Sequence, residues 1–172
     1  QILAKSPLNP GSQNLFATNN SDKKWTHLRL NIYPDGGVAR LKVYGNIYKD
    51  WSKVSSDNLI DLAALVNGGR VVLCNDMFFG SKDNMIGVGR APNIGDGWET
   101  KRKRILPGFD LSIIKLAVPG EIKEVLVDTN HFKGNYPDTC LVEGAYLPEV
   151  DDSSLTDPSI QWTEILPQVK LE

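Results

Sequence analysis

Thr26-His27-Leu28-Arg29-Leu30-Asn31-Ile32-Tyr33-Pro34-Asp35-Gly36-Gly37-Val38-Ala39-Arg40-Leu41-Lys42-Val43-Tyr44 carries the clearest secondary-structure signal in this chain. Leu28, Leu30 and Ile32 fall on one face and His27, Arg29 and Asn31 on the other, the period-two pattern of a half-buried strand. Pro34-Asp35-Gly36-Gly37 reads as a tight turn, because proline presets φ and glycine accepts positive φ. Ala39, Leu41 and Val43 alternate with Val38, Arg40, Lys42 and Tyr44 on the way back, which predicts a β-hairpin.

Downstream, Asp57 is a candidate N-cap for a leucine- and alanine-rich helix over 58–66, stopped by Gly68-Gly69. Strands are predicted at 71–73, 111–116, 122–127 and 139–146, and a last one at 162–166 that Pro167 ends or pushes to an edge. Residues 75–100, rich in Gly, Asp and Asn with Met77, Phe78, Phe79 and Met85 interspersed, read as a long ordered surface loop. Residues 149–158 read as an exposed loop. One short helix among about seven strands predicts an all-β antiparallel sandwich.

With 172 residues and 41% hydrophobic content, the chain can bury one core but hardly two. Its 19 basic and 21 acidic residues leave a net charge of −2, so no bulk field favours nucleic acid or an anionic membrane. No apolar run approaches the ~18 residues of a membrane span. The lone cysteines Cys74 and Cys140 fit buried thiols in a reducing, cytoplasmic compartment, with one disulfide as the alternative. The chain opens on Gln1, and Gln1-Ile2-Leu3 with Leu8 is echoed by Glu164-Ile165-Leu166 with Leu171. Both features lead us to expect a piece of a longer, internally repeated protein. The closing Leu171-Glu172 reads equally as a cloning remnant or a native pair.

Three segments place charged or amide side chains beside glycine and an aromatic residue where a strand should end: Tyr33 to Arg40, Asp96-Gly97-Trp98-Glu99-Thr100-Lys101-Arg102, and Asp128 to Asp138. Together, and in this order, they resemble the allantoicase family, hydrolases that release urea from allantoate. The resemblance covers nearly the whole chain. It implies a repeat similar to the galactose-binding-like jelly roll, with residues 1–45 as the closing hairpin of one repeat. Residues 46–172 would then be the main part of the next, lacking its own hairpin; a single compact sandwich overall is the alternative. A sandwich interrupted in this way predicts association with another copy or a companion fragment of the same protein. The resemblance also implies a small ureide substrate and admits a peroxisomal address.

Allantoate carries a carboxylate and two ureido groups on one carbon, so its hydrolysis calls for a cation, partners for ureido N–H groups and an acid–base group. Arg102 or Lys101 fits the carboxylate, Arg better because its fork matches two oxygens; the bland reading of Lys101-Arg102-Lys103-Arg104 is a solvated loop. Glu99 and Asp96 flank Trp98, and a carboxyl against an indole is a candidate acid or base; Asp96 reads better as a turn former. His131 is the better acid–base candidate of the two histidines, His27 lying on the hairpin's polar face. Asn130 and Asn135 suit a ureido group or simply serve turns. No zinc-type spacing is present, and whether a divalent ion sits on carboxylates such as Asp76 and Glu99 stays open. The rival function is a non-catalytic jelly-roll module that binds a sugar or protein partner by stacking on Trp51, Phe79 or Tyr136.

Overall fold

The computed structural model describes residues 2–18, 23–55, 58–105 and 107–171. The chain divides into two units, Gln1–Tyr48 and Lys49–Glu172.

In the first unit the predicted hairpin does not zip. Residues 26–44 carry no β-ladder, and Leu28, Leu30, Leu41 and Val43 stand more than half exposed. At the predicted turn the chain bends at Tyr33 and Pro34, whose bond is cis, and Gly36 takes the expected positive φ of 129, but no hydrogen-bonded turn closes over Pro34 to Gly37. Lone hairpins are marginal in water, and alternation stabilises a strand only when its apolar face meets a second layer. None of the described residues of this unit is buried. Ammonium–aromatic contacts, Lys5 over Tyr33 at 4.8 Å and Lys24 over Tyr48 at 3.3 Å, do the local tethering.

The described residues of the second unit form four strands: β1 (Arg70–Cys74), β2 (Ser112–Lys115), β3 (Thr139–Gly144) and β4 (Thr163–Lys170). They form two antiparallel pairs, β1 with β2 and β3 with β4. The β1–β2 ladder pairs Val71 with Ile114 and Leu73 with Ile113, leaving Val72 as a bulge. Arg70 lies opposite Lys115, a like-charge pair that Asp152 relieves, 2.8 Å from the guanidinium and 3.7 Å from the ammonium. The exposed loop predicted around 149–158 thus has a structural task.

Pro167 does not end the last strand; of the two expected outcomes the edge placement holds, since β4 pairs with β3 on one side only among the described residues. Cys140 pairs with Val169 and Val142 with Leu166, so Pro167 and Gln168 together face one residue of β3. Proline has no N–H to give, and a bulge asks for none. The same shift turns both Leu166 and Val169 to the more covered side of β4.

Two further expectations fail. Residues 122–127 form no strand, and Leu126 is 86% exposed; they find no ladder partner among the described residues. The helix over 58–66 is also absent, and its proposed cap Asp57 lies outside the described residues. Instead, Asp61 accepts the backbone N–H groups of Ala63 (3.0 Å) and Ala64 (3.1 Å), a local turn that competes with helical bonding. A single 3-10 turn, Leu65–Asn67, follows and ends on left-handed Gly68. Ala117 N–H donates to Leu62 O at 2.9 Å, tying this segment to the exit of β2.

The buried apolar side chains are Ala64, Val71 and Ile86. Ile86 ends the 3-10 segment Lys82–Ile86, and the Lys82 ammonium caps the Val71 carbonyl at 2.8 Å. Neither thiol is fully buried; Cys74 and Cys140 are half-buried and free. No helix of the described residues is long and apolar enough to cross a membrane. The regular structure of this unit is mostly strand, as the pattern analysis anticipated, but in fewer pieces, with β1 and β4 longer and β2 and β3 shorter than predicted. Ile86→Ala is expected to cost about 2–4 kcal/mol in urea unfolding, whereas exposed Leu126→Ala should stay within about 0.5 kcal/mol.

Candidate functional site

The site begins at the end of β1. Asn75 extends the ladder with its side chain, accepting the Leu111 N–H at 3.0 Å and donating to Phe109 O at 3.1 Å. That places Asp76 beside the segment 98–101. Asp76 Oδ1 accepts the backbone N–H of Lys101 at 2.8 Å and of Phe78 at 3.2 Å, and Oδ2 lies 3.5 Å from the Lys101 ammonium. Its own carbonyl accepts the Trp98 indole N–H at 2.8 Å. The Lys101 backbone N–H is the chief reason the Asp76 carboxyl sits below its ordinary value of 3.8. Partial burial opposes it, and the Phe78 N–H and Lys101 ammonium add to it.

Between those two anchors Glu99 makes an isolated antiparallel bridge with Gly80. Its carbonyl accepts from Phe79 N (3.0 Å) and Gly80 N (3.1 Å). Gly80 is buried, and a Cβ there would stand 2.2 Å from Gly97 O and 2.9 Å from Glu99 N; only glycine lets the two backbones pass. Asn84 finishes the frame, donating to Gly95 O at 3.2 Å and Gly97 O at 3.1 Å. Asp96 is the turn residue it resembles, its N–H reaching Asn93 O at 3.2 Å in the 3-10 turn Ile94–Asp96.

The Asp128–Asp138 cluster is stitched to this segment at several points. Arg90 pairs with Asp128 at 3.3 Å. The amide of Asn130 reaches Ala91 O at 3.5 Å, and His131 Nε2 lies 2.9 Å from the same oxygen. The Phe132 ring occupies the space that a Cβ on Gly97 would need, and Asn135 Nδ2 donates to Glu99 Oε1 at 2.7 Å. A carbonyl oxygen only accepts, so His131 Nε2 carries the proton and Nδ1 is the nitrogen left to accept. His131 adopts φ 73, a left-handed conformation uncommon for a non-glycine residue, held by its neighbours in the turn.

The second and third sequence clusters therefore meet, with Glu99, Asn130, His131 and Asn135 on adjoining loops. Trp98 acts as an anchor through its indole N–H. Lys101 leans on Asp76. Arg102 is exposed and makes no ion pair among the described residues. A shallow depression nearby is lined by Cys74 to Phe78, of which only Asp76, as a carboxylate for a divalent ion, is a site candidate from the sequence. Phe78 and Phe79 pack edge to face at 4.7 Å beside it. The described residues hold no group of three or more His, Cys, Asp or Glu able to cage a metal, and Asp76 and Glu99 each bond to different partners. Sequence reasoning missed the role of Asp76 as organiser; an Asp two positions before an aromatic hints at a turn, but nothing local points 25 residues on to Lys101.

A family profile described as the allantoicase repeat matches residues 1–48 and 60–172. The chain belongs to the allantoicase family. Over all 172 residues it is 49% identical to a probable allantoicase of Pseudomonas fluorescens, aligning with 51% of that protein. Over 171 residues it is 48% identical to one of Photobacterium profundum, covering 99% of this chain and 51% of the relative. It spans about half the length of the curated relatives it matches. The crystal structure of an allantoicase from Saccharomyces cerevisiae superposes with a TM-score of 0.56 at 35% identity, covering 65% of this chain and 31% of that one.

Because the Asp76 carboxyl is depressed, the stability it contributes is fully present above its unfolded value and is lost as pH falls through the lower folded one. The stability gap between wild type and Asp76→Asn should hold constant from neutrality to about pH 4 and shrink below it, as read by urea unfolding at stepped pH.

Proposed function

We propose that the protein containing this chain hydrolyses allantoate to ureidoglycolate and urea, as a step of purine breakdown through allantoin. Family membership suggests the substrate, and one geometric observation supports the site: the 128–138 loop is bonded onto the 90–99 segment, Asn135 to Glu99 and His131 to Ala91. The reaction breaks the bond between the central carbon and one ureido nitrogen; water gives its hydroxyl to that carbon and a proton to the departing urea. In this reading Arg102 pairs with the substrate carboxylate, its guanidinium being exposed and uncommitted. Lys101 lends positive field from its tether on Asp76. Glu99 and the amides of Asn130 and Asn135 take up the ureido group, and Trp98 walls the site. His131 Nδ1 accepts the proton of the attacking water and Glu99 is its acid–base counterpart. Loops fixed at both ends keep these groups within reach of one small anion.

The reading extends to organisation. Residues 1–45 close a preceding jelly-roll repeat of the galactose-binding type, and 46–172 form the main part of the next. The separate profile matches at 1–48 and 60–172 and the division after Tyr48 support it. Apolar side chains such as Leu28, Leu41, Val43 and Leu126 then find cover in a larger assembly, either within the whole two-repeat protein or between copies of it. Light scattering on the 172-residue chain alone is expected to report self-association, and a monodisperse monomer refutes that expectation.

Urea release from allantoate by the full-length protein, with and without added divalent metal, tests the activity. Glu99→Gln and His131→Ala should each lower kcat by about 10²–10⁴-fold. Arg102→Ala should act mainly by raising KM, since the carboxylate is bound alike in ground and transition state. Absence of urea in every condition defeats the proposal; full activity in all three folded variants leaves the activity and removes this site.

A further inference from the structure

We infer that Asp76, outside the reacting groups, is the positioning residue that sets where the Glu99 carboxylate points; the inference rests on the acid–base role proposed for Glu99. Asp76 grips the chain on both sides of Glu99, through its carbonyl to the Trp98 indole N–H (2.8 Å) and through Oδ1 to the Lys101 N–H (2.8 Å). The same oxygen holds Phe78 N–H at 3.2 Å, just before the Phe79 and Gly80 donors that receive the Glu99 carbonyl. One side chain thereby locks two antiparallel segments in register at the residue whose carboxylate meets Asn135. Only 10% of the Asp76 side chain is exposed, and Oδ1 is taken up by the two backbone N–H groups.

What matters in this device is an acceptor oxygen at a fixed distance, not the negative charge. Asp76→Asn keeps such an oxygen in place; Asp76→Glu keeps the charge and moves it by one methylene; Asp76→Ala removes both. In the full-length protein, with urea release as the assay and folding checked by circular dichroism, Asp76→Asn should keep kcat within about threefold of wild type. Asp76→Glu and Asp76→Ala should lose about tenfold and thirtyfold in kcat, with KM within about threefold. Amide hydrogen exchange at Lys101, followed by NMR without substrate, should speed up at least about tenfold in the Glu and Ala variants and less than about threefold in the Asn variant. If Asp76→Ala does not fold, the Asn and Glu pair decides alone. Unchanged kcat in Asp76→Glu, an Asn variant as impaired as the Glu variant, or a loss confined to KM each overturns the inference while the activity stands. A wild type that releases no urea overturns the allantoate reading and this inference with it.

Discussion

The bond from the Lys101 N–H to Asp76 Oδ1 is the constraint on which the candidate site depends. It joins the end of β1, itself anchored by pairing with β2, to a segment with little regular structure of its own. Everything the 96–102 stretch offers is oriented by that joint: the Trp98 indole turned inward, the Gly80 bridge, and the Glu99 carboxylate free for Asn135. The bridge in turn requires glycine at position 80, where a side chain would strike the Gly97 carbonyl. Position and identity are therefore linked across a long loop whose regular structure is two short 3-10 segments.

Where the sequence was legible, it was because local chemistry and available partners agreed. Val71-Val72-Leu73 and Leu111 to Leu116 are short apolar runs that find each other, and Thr139 to Tyr146 finds the chain's last strand. Residues 26–44 and 122–127 carry equally good strand character and yet form no ladder. Alternation reports which face is apolar; it is silent on whether a second layer stands opposite. The leucine-rich stretch 58–66 misled for another reason, since Asp61 inside it draws two backbone N–H groups to its own carboxylate. Helical composition does not prevail over a turn-former placed within the first turn.

For the candidate site, residue chemistry singled out loops that the structure brings together, but not the joints between them. Glu99 with Asn135, and His131 with Ala91, are contacts across 36 and 40 positions, and no spacing rule announces them. The positive φ of His131 was equally hidden, although a histidine between Asn130 and a run ending in Gly134 is placed where such a conformation is tolerated. Trp98 and Lys101, read as lining a substrate pocket, are first of all fasteners of the backbone. A side chain already holding its own loop is a poorer ligand than its charge suggests, which leaves Arg102 as the more available cation.

The bulge in β4 has a bearing on how this chain keeps from pairing with copies of itself. A strand paired on one side offers its other side as a template for stacking against identical molecules, the first step toward fibrous aggregates. Here Pro167 deletes a donor from the strand, the doubled-up Pro167–Gln168 step breaks its repeat, and Glu164 and Lys170 put a charge near each end. Another molecule aligning in register along this strand would meet a kink, a missing N–H and like charges facing like. The irregularity that lets Leu166 and Val169 turn to the same side also guards the newly made polypeptide against indiscriminate pairing.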